Sequence, residues 1–459
     1  MARKKYRIIG KANTKVDGLA KSTGATKYAD DLSMPRMLHC KLHRADVPYA
    51  IIKSIDTSAA EAMDGVIAVL TGAELPTQFG ILPVSQDEHA LCPDKVRFVG
   101  DPVAAVAALD EDIAFEASQA IRVEYEPLPP VFDPAKAIRN DVPAMHDYGD
   151  DGNVHKRVSM QFGDVPGALE NADSVLEDIV FYQGNTHLPM EQHATLAMPE
   201  ADGRLTIWSS TQTPHYLHKA MSKVLDMPPS RIRIIACPNG GGFGGKSDPF
   251  NHEIAVAALA VKTQRPCKIA LTREEVFYCH RGRHPVLMRS RMGLDKKSKS
   301  ITGIHFESLL DGGAYGSYGV ASTYYTGALQ TVTYQVPAYR FDGVRTFTNK
   351  PPCGPKRGHG TVQPRFALEI QVDRAAHELG VDPADFRLQN LQPAESVTAN
   401  WLRIRTMGLR QCIEKVVEAS GWRERYGKLE RGHGLGLACS SYITGAGLPI
   451  YWNKMPHSG

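Results

Sequence analysis

The stretch Asn239-Gly-Gly-Gly-Phe-Gly-Gly-Lys246 constrains this chain most, because five of its eight residues are glycine. Residues 232–236 before it read as a short strand, and residues 252–261 after it read as a buried helix. Ser247 or Asp248 is the expected N-cap, with Pro249 near the first turn. Glycine lets the backbone turn freely and approach whatever lies in front of it. Free N–H groups and the positive end of a helix dipole would then face that object. Strand, glycine turn and helix start together describe a cradle for an anionic or oxo-bearing ligand. The plain alternative is a tight strand-to-helix turn that holds nothing.

Two nucleotide signatures overlap the stretch. A dinucleotide fold wants an acidic residue about 20 positions further on, and there the chain has the turn 262–266, without Asp or Glu. A Walker A loop is spelled in full by Gly240, four residues, then Gly245-Lys246-Ser247. Against it, Phe243 sits mid-loop where backbone would wrap phosphate, and no later strand ending in Asp is evident.

A chain of 459 residues is too long for one core, so two to four domains are expected. A net charge of +3 without a long basic run gives no reason to expect nucleic acid. The basic start Met-Ala-Arg-Lys-Lys has no apolar run behind it, and no apolar stretch is long enough to span a bilayer. The expected compartment is the cytoplasm, without membrane contact. The eight cysteines form no Cys-x-x-Cys pair, so buried thiols are expected rather than a zinc or iron–sulfur site. Electrons, if needed, must come from another chain or a bound cofactor.

In chain order, residues up to about 135 read as an α/β module closed by the Pro-rich connection 126–134. Residues 155–395 mix strands and helices around a second glycine-rich stretch, Gly312-Gly-Ala-Tyr-Gly-Ser-Tyr-Gly319, followed by Tyr324 and Tyr325. Pro364 opens a helix of helical apolar period that Gly380 stops. Residues 411–420 read as a helix and 434–441 as a strand. The sequence stops at Pro456-His-Ser-Gly459, which reads as a domain cut open.

Taken together, Gly24-Ala-Thr-Lys-Tyr-Ala-Asp30, Val99-Gly-Asp-Pro-Val-Ala-Ala-Val106, Met190-Glu191, Ser210-Thr-Gln212, Gly240 to Lys246, Gly282-Arg-His-Pro285, Gly312-Gly-Ala-Tyr315 and Arg357-Gly-His-Gly360 are similar to the large, molybdenum-binding subunit of the xanthine dehydrogenase (molybdenum hydroxylase) family. The resemblance implies an α+β / α/β multidomain fold. It places an α/β hammerhead domain at 1–135, a first molybdenum-cofactor-binding domain at 136–400 and the start of a second at 401–459.

It also implies roles. Gln212 matches the glutamine whose amide hydrogen-bonds an oxygen ligand of molybdenum. Gly241, Gly242, Phe243 and Gly244 match the loop against the metal's oxo face, and Arg357 matches the arginine beside the metal. The metal is held by a pterin dithiolene, so the protein supplies donors and shape rather than ligands. Without that context Gln212 would read as a capping residue and Arg357 as a surface ion-pair residue.

The nearest branch by motif is the 4-hydroxybenzoyl-CoA reductase α subunit, on Asp311 to Gly319, Tyr325-Thr-Gly-Ala-Leu329 and Thr348 to Thr361. A CO dehydrogenase-type cysteine is replaced by Gly358, and a xanthine-type glutamate by Ser247. The implied reaction is reduction of 4-hydroxybenzoyl-CoA, with two electrons and two protons, to benzoyl-CoA and water. Tyr325, then Tyr324, would line the aromatic pocket with Arg357 beside them, and His359 is a weaker candidate proton donor. The alternatives are oxidative hydroxylation of an aldehyde or N-heteroaromatic, or an inactive fragment needing a second chain. The implied cofactor is a molybdenum–molybdopterin, in its cytosine dinucleotide form. An iron–sulfur subunit with [2Fe–2S], an FAD subunit and a second chain completing the site are the implied partners, and an aryl-CoA the implied substrate.

Overall fold

The computed structural model describes residues 6–139 and 141–442. A seven-stranded sheet forms its first layer, in the order Ile232–Ala236, Leu205–Ser209, Ala194–Pro199, Cys267–Ala270, Leu38–Arg44, Pro102–Ala108, Val66–Thr71. Strand Leu38–Arg44 pairs in parallel with Cys267–Ala270, so one sheet joins strands from both sides of residue 135. Pro102–Ala108 is buried along all its length, which is why it reads as an unbroken apolar run instead of an alternating one.

The helix Asn251–Thr263 lies on this sheet, against Ala194–Pro199, Cys267–Ala270, Pro102–Ala108 and Val66–Thr71. Every residue from Asn251 to Ala260 is buried. Its small side chains let it sit close, and Ile254 and Leu259 would each contribute about 1.5–3 kcal/mol of apolar burial.

 Gln264, in the left-handed region at φ 52°, ends the helix. The N-cap differs from the sequence expectation. Phe250 occupies it, in extended conformation, and its N–H is taken by the Glu253 carboxylate at 2.8 Å. Asp248 is unavailable because its carboxylate accepts from Arg281 and Ser317.

A five-stranded sheet forms the second layer, in the order Val154–Phe162, Ala338–Thr346, Ser300–Asp311, Val286–Asp295, Ser174–Tyr182. Helix Val362–Glu378 packs across its inner face and ends where Gly380 turns to φ 61°. A three-stranded sheet of Lys95–Val96, Ala50–Asp56 and Arg122–Pro127 completes the N-terminal part.

Two further expectations are corrected. Tyr324 and Tyr325, expected only to follow a glycine-rich stretch, lie in a helix, Gly319–Ala328. Its buried hydroxyls bond back to the helix's own carbonyls, as Thr323 does to Gly319 and Thr326 to Ser322, so the helix is held by its packing rather than by propensity. Residues 434–441 form no strand; Cys439 N–H instead donates to Glu369 at 2.8 Å. The abrupt ending read at 456–459 lies outside the described residues. Seven of the eight cysteines are buried thiols, whereas Cys412 is exposed. No helix among the described residues is long and apolar enough to cross a membrane.

Candidate cofactor-binding site

The glycine stretch leaves the strand Ile232–Ala236 and runs over the sheet edge as an open loop. Gly241 and Gly244 take φ of 114° and 98°, and Phe243 is held at 53°, a left-handed conformation that costs a non-glycine residue about 1 kcal/mol or more. Crowding explains the glycines that do not need such angles. A Cβ on Gly242 would stand 2.4 Å from Gln212 Oε1, and one on Gly245 would stand 2.0 Å from the His280 ring.

Gln212 braces this loop. Its Oε1 accepts from Gly244 N–H at 3.0 Å and from Lys246 N–H at 3.2 Å, while its own N–H donates to the Lys246 carbonyl at 2.7 Å. Two backbone donors can only be met by the amide oxygen, so the amide orientation is fixed chemically. Its NH₂ group is left without a partner among the described residues, and so are the N–H groups of Gly241, Gly242 and Phe243.

The other ends of the loop are tied from outside. Glu191 Oε2 accepts from Gly240 N–H at 2.8 Å and from Lys246 Nζ at 2.6 Å, and Lys246 is buried. Burial pulls the Lys246 pKa down while Glu191 holds it up. A lysine spent in this way is not free for phosphate, and the helix starts at Asn251 rather than directly after Ser247. The Walker A spelling is therefore coincidental.

Residues 353–360 form the second wall. Arg357 N–H donates to the Phe243 carbonyl at 2.9 Å, and the Pro355 carbonyl lies where a Cβ on Gly244 would fall, 2.6 Å away. Behind them the buried Arg283 donates to the carbonyls of Arg357 and Gly358. The Arg357 guanidinium is exposed and enters no ion pair among the described residues. Phe243 beside it is 47% exposed, a large apolar ring turned outward.

Tyr325 abuts the same loop, for a Cβ on Gly360 would lie 2.7 Å from its own Cβ. Its ring meets His359 edge-on at 5.5 Å. His359 bonds Ser322 Oγ at 2.5 Å, and burial, then Arg283, holds its pKa down to about 4. The ring is thus neutral at pH 7, with little acid character. Tyr324 points elsewhere, into the core of the second sheet, where it is buried. The structure brings Gln212, Gly241, Gly242, Phe243, Gly244, Arg357 and Tyr325 together, and not Tyr324.

Under the loop lies a set of imidazoles that the sequence did not single out. His193 Nε2 and His280 Nδ1 are 2.9 Å apart, and the His187 ring stands edge-on to His280 at 4.3 Å. Burial is the main cause holding His187 near 4, His252 near 3 and His280 near 2, with neighbouring cations adding to it. A separate cleft of about 930 Å³ lies between residues 41–47, 115–125 and 272–278. Arg273, on its lining, donates to the carbonyls of Pro189 and Met190.

Comparison with known proteins now decides the family. Residues 145–391 match the molybdopterin cofactor-binding domain, and residues 23–129 match the aldehyde oxidase and xanthine dehydrogenase a/b hammerhead domain. The chain belongs to the xanthine dehydrogenase and aldehyde oxidase family of molybdopterin-binding large subunits. It is 37% identical to the nicotinate dehydrogenase large molybdopterin subunit of Eubacterium barkeri, over 90% of this chain and 97% of that one. It is 32% identical to the xanthine dehydrogenase molybdenum-binding subunit of Escherichia coli O157:H7, over 94% of this chain and 59% of that one. Quinoline 2-oxidoreductase from Pseudomonas putida 86 superposes with a TM-score of 0.84 at 27% identity, covering 91% of this chain and 55% of the other. The chain thus spans little more than half the length of several relatives it matches. Its fold is the expected one, a hammerhead domain followed by a mixed α/β molybdenum-cofactor-binding domain. Nothing in these likenesses singles out the 4-hydroxybenzoyl-CoA reductase branch.

Proposed function

We propose that the loop Gly241–Gly244, Gln212 and Arg357 form one wall of a molybdenum-cofactor site in a multi-subunit hydroxylase. The observation that carries this reading is a run of three backbone N–H groups without a partner among the described residues, at Gly241, Gly242 and Phe243, beside the Gln212 NH₂, which is equally without one. Such donors suit oxo oxygens, because they stabilise negative charge without having to titrate.

A bound molybdopterin would supply the two-electron chemistry, and the chain's own residues would position and shield. Gln212, held by Gly244 and Lys246, offers its NH₂ at a fixed orientation. Phe243 offers an apolar face, and Arg357 a cation able to hold an anionic substituent on an aromatic ring. The substrate class favoured by these groups together with the nicotinate dehydrogenase likeness is an N-heteroaromatic carrying an acid group, hydroxylated oxidatively. Reductive dehydroxylation of 4-hydroxybenzoyl-CoA is the second reading, and the placement of Tyr325 against the Arg357 loop favours it. Both readings take the cytosine dinucleotide cofactor, [2Fe–2S] and FAD on partner subunits, and a second polypeptide completing the site. They also keep domain limits near residues 135 and 400 and a cytoplasmic setting.

The assembled complex separates the two. Oxidation of nicotinate or a related heteroaromatic by an artificial acceptor is expected. Turnover of 4-hydroxybenzoyl-CoA with reduced viologen, and none of the heteroaromatics, would move the assignment to the reductase.

A further inference from the structure

Residues 185–191 form no helix or strand, yet they hold both walls of the site. At one end Lys356 Nζ donates to the Thr186 carbonyl at 2.7 Å and to Asn185 Oδ1, and His187 Nε2 bonds the Pro355 carbonyl at 2.8 Å. At the other end Glu191 takes the Gly240 N–H and the Lys246 ammonium. Between the two ends Arg273 fixes the carbonyls of Pro189 and Met190. One short strap therefore runs from the 353–360 wall to the glycine loop. Leu188 within it is held at φ 46° although its side chain is 56% exposed. Such strain persists only where the surroundings impose it, and here the anchors on either side do so.

His187 meets both walls with a single side chain. Its ring is buried, and a Cβ on Gly245 would lie 2.9 Å from its Cγ. A carbonyl only accepts, so the neutral ring carries its proton on Nε2, toward Pro355. Its bare Nδ1 is buried without a partner among the described residues. His280 stands edge-on to the ring at 4.3 Å and bonds His193, whose own ring meets Phe250 at the start of helix Asn251–Thr263. The imidazole is thus braced against a rigid element. The Pro355 carbonyl it holds is the one that crowds Gly244, and it lies two residues before Arg357, whose N–H donates to the Phe243 carbonyl.

We propose that His187 is a positioning residue: by donating to Pro355 while its ring packs on Gly245, it sets the distance between the glycine loop and Arg357, and so the place where an anionic ring substituent is held. The inference rests on the reading that these two loops share one site with a substrate anion on Arg357. His187 is buried and acts through the loops, so its effect is on alignment. Misplacing a binding group by about 1 Å can cost a reaction about a hundredfold. Losing one hydrogen bond to a backbone carbonyl costs about 1 kcal/mol of local stability, which is enough to free the loop without unfolding the chain.

Two variants separate the donor from the bulk. His187→Gln keeps an N–H where Nε2 stands, and His187→Leu keeps apolar bulk without a donor. Should His187→Leu not fold, His187→Asn, whose amide stops one bond short of Pro355, takes its place. The first readout is hydrogen exchange of the Arg357 amide in the full chain alone. Exchange about tenfold faster in His187→Leu is expected, with His187→Gln close to wild type and the amides of Ala338–Thr346 unchanged in both. Equal exchange at Arg357 in the two variants, or faster exchange in Ala338–Thr346 as well, would reduce His187 to core packing and overturn the proposal. The second readout is the kinetics of the assembled, cofactor-loaded complex. In His187→Leu the KM for nicotinate should rise about tenfold while that for uncharged quinoline stays, and His187→Gln should restore it. An equal loss on both substrates overturns the link to Arg357. A wild-type complex that oxidises neither substrate overturns the proposed function instead, and the exchange result then decides the role of His187 by itself.

Discussion

At Gly242 the loop has no room for a methyl group, since its Cβ would lie 2.4 Å from Gln212 Oε1. Gly242→Ala is expected to push the glutamine off its two N–H donors and to cost about 1–3 kcal/mol by overpacking. Urea unfolding of the variant, together with the molybdenum content of the assembled complex, checks this; both should fall. Glu191→Ala leaves Lys246 buried without its counter-charge and is expected to cost about 3–5 kcal/mol. Lys246→Met combined with Glu191→Gln should recover much of that loss, which equilibrium unfolding of the single and double variants would reveal. The glycines of this loop were legible in the sequence because their spacing matched a known pattern. The Glu191–Lys246 pair was not, because partners 55 residues apart are joined only by the fold. Tyr324 and Tyr325 illustrate the same limit. Adjacent positions on a helix point to different places, and only the helix, hidden among glycines, tells which one faces the Arg357 loop.

The elements behind the loop carry a pH dependence. His187 and His280 pack on Gly245 as neutral rings, their pKa values lowered chiefly by burial to about 4 and about 2. A histidine depressed in the fold is protonated more readily in the unfolded chain, so its stabilising contribution is complete above about pH 6.5 and is lost as pH falls toward the folded value. Near pH 5 the expected loss is about 2 kcal/mol for each such ring. Thermal melting between pH 7 and 5 should show it, with a shallower slope in His187→Gln. A melting temperature that is flat over that range would contradict the assignment. At this scale, most strands and helices were readable from period and punctuation. The exceptions were set by tertiary contact: the N-cap moved to Phe250 because Asp248 is used by Arg281, and residues 434–441 are held by Glu369 instead of a strand partner.

Across the whole molecule, the buried Arg281 joins the two parts. It donates to Glu88 from the N-terminal part and to Asp248 after the glycine loop, and lies 5.1 Å over the Phe250 ring. Arg281→Leu strands two buried carboxylates, and a loss of about 3–5 kcal/mol is expected, read as a lower urea midpoint. The family was legible because motifs in the right order survive even when each alone is weak. The substrate branch was not, because it depends on which groups face the open side of Arg357 and Phe243. In the proposed site the glycine loop, Gln212 and Arg357 make one wall around molybdenum. Anomalous diffraction at the molybdenum edge, from crystals of the cofactor-loaded complex, tests that most directly. The expected result is a single peak beside Gly242–Gly244, with the Gln212 NH₂ about 3 Å from an oxygen on the metal. A peak elsewhere, with this loop against solvent or protein alone, would contradict it.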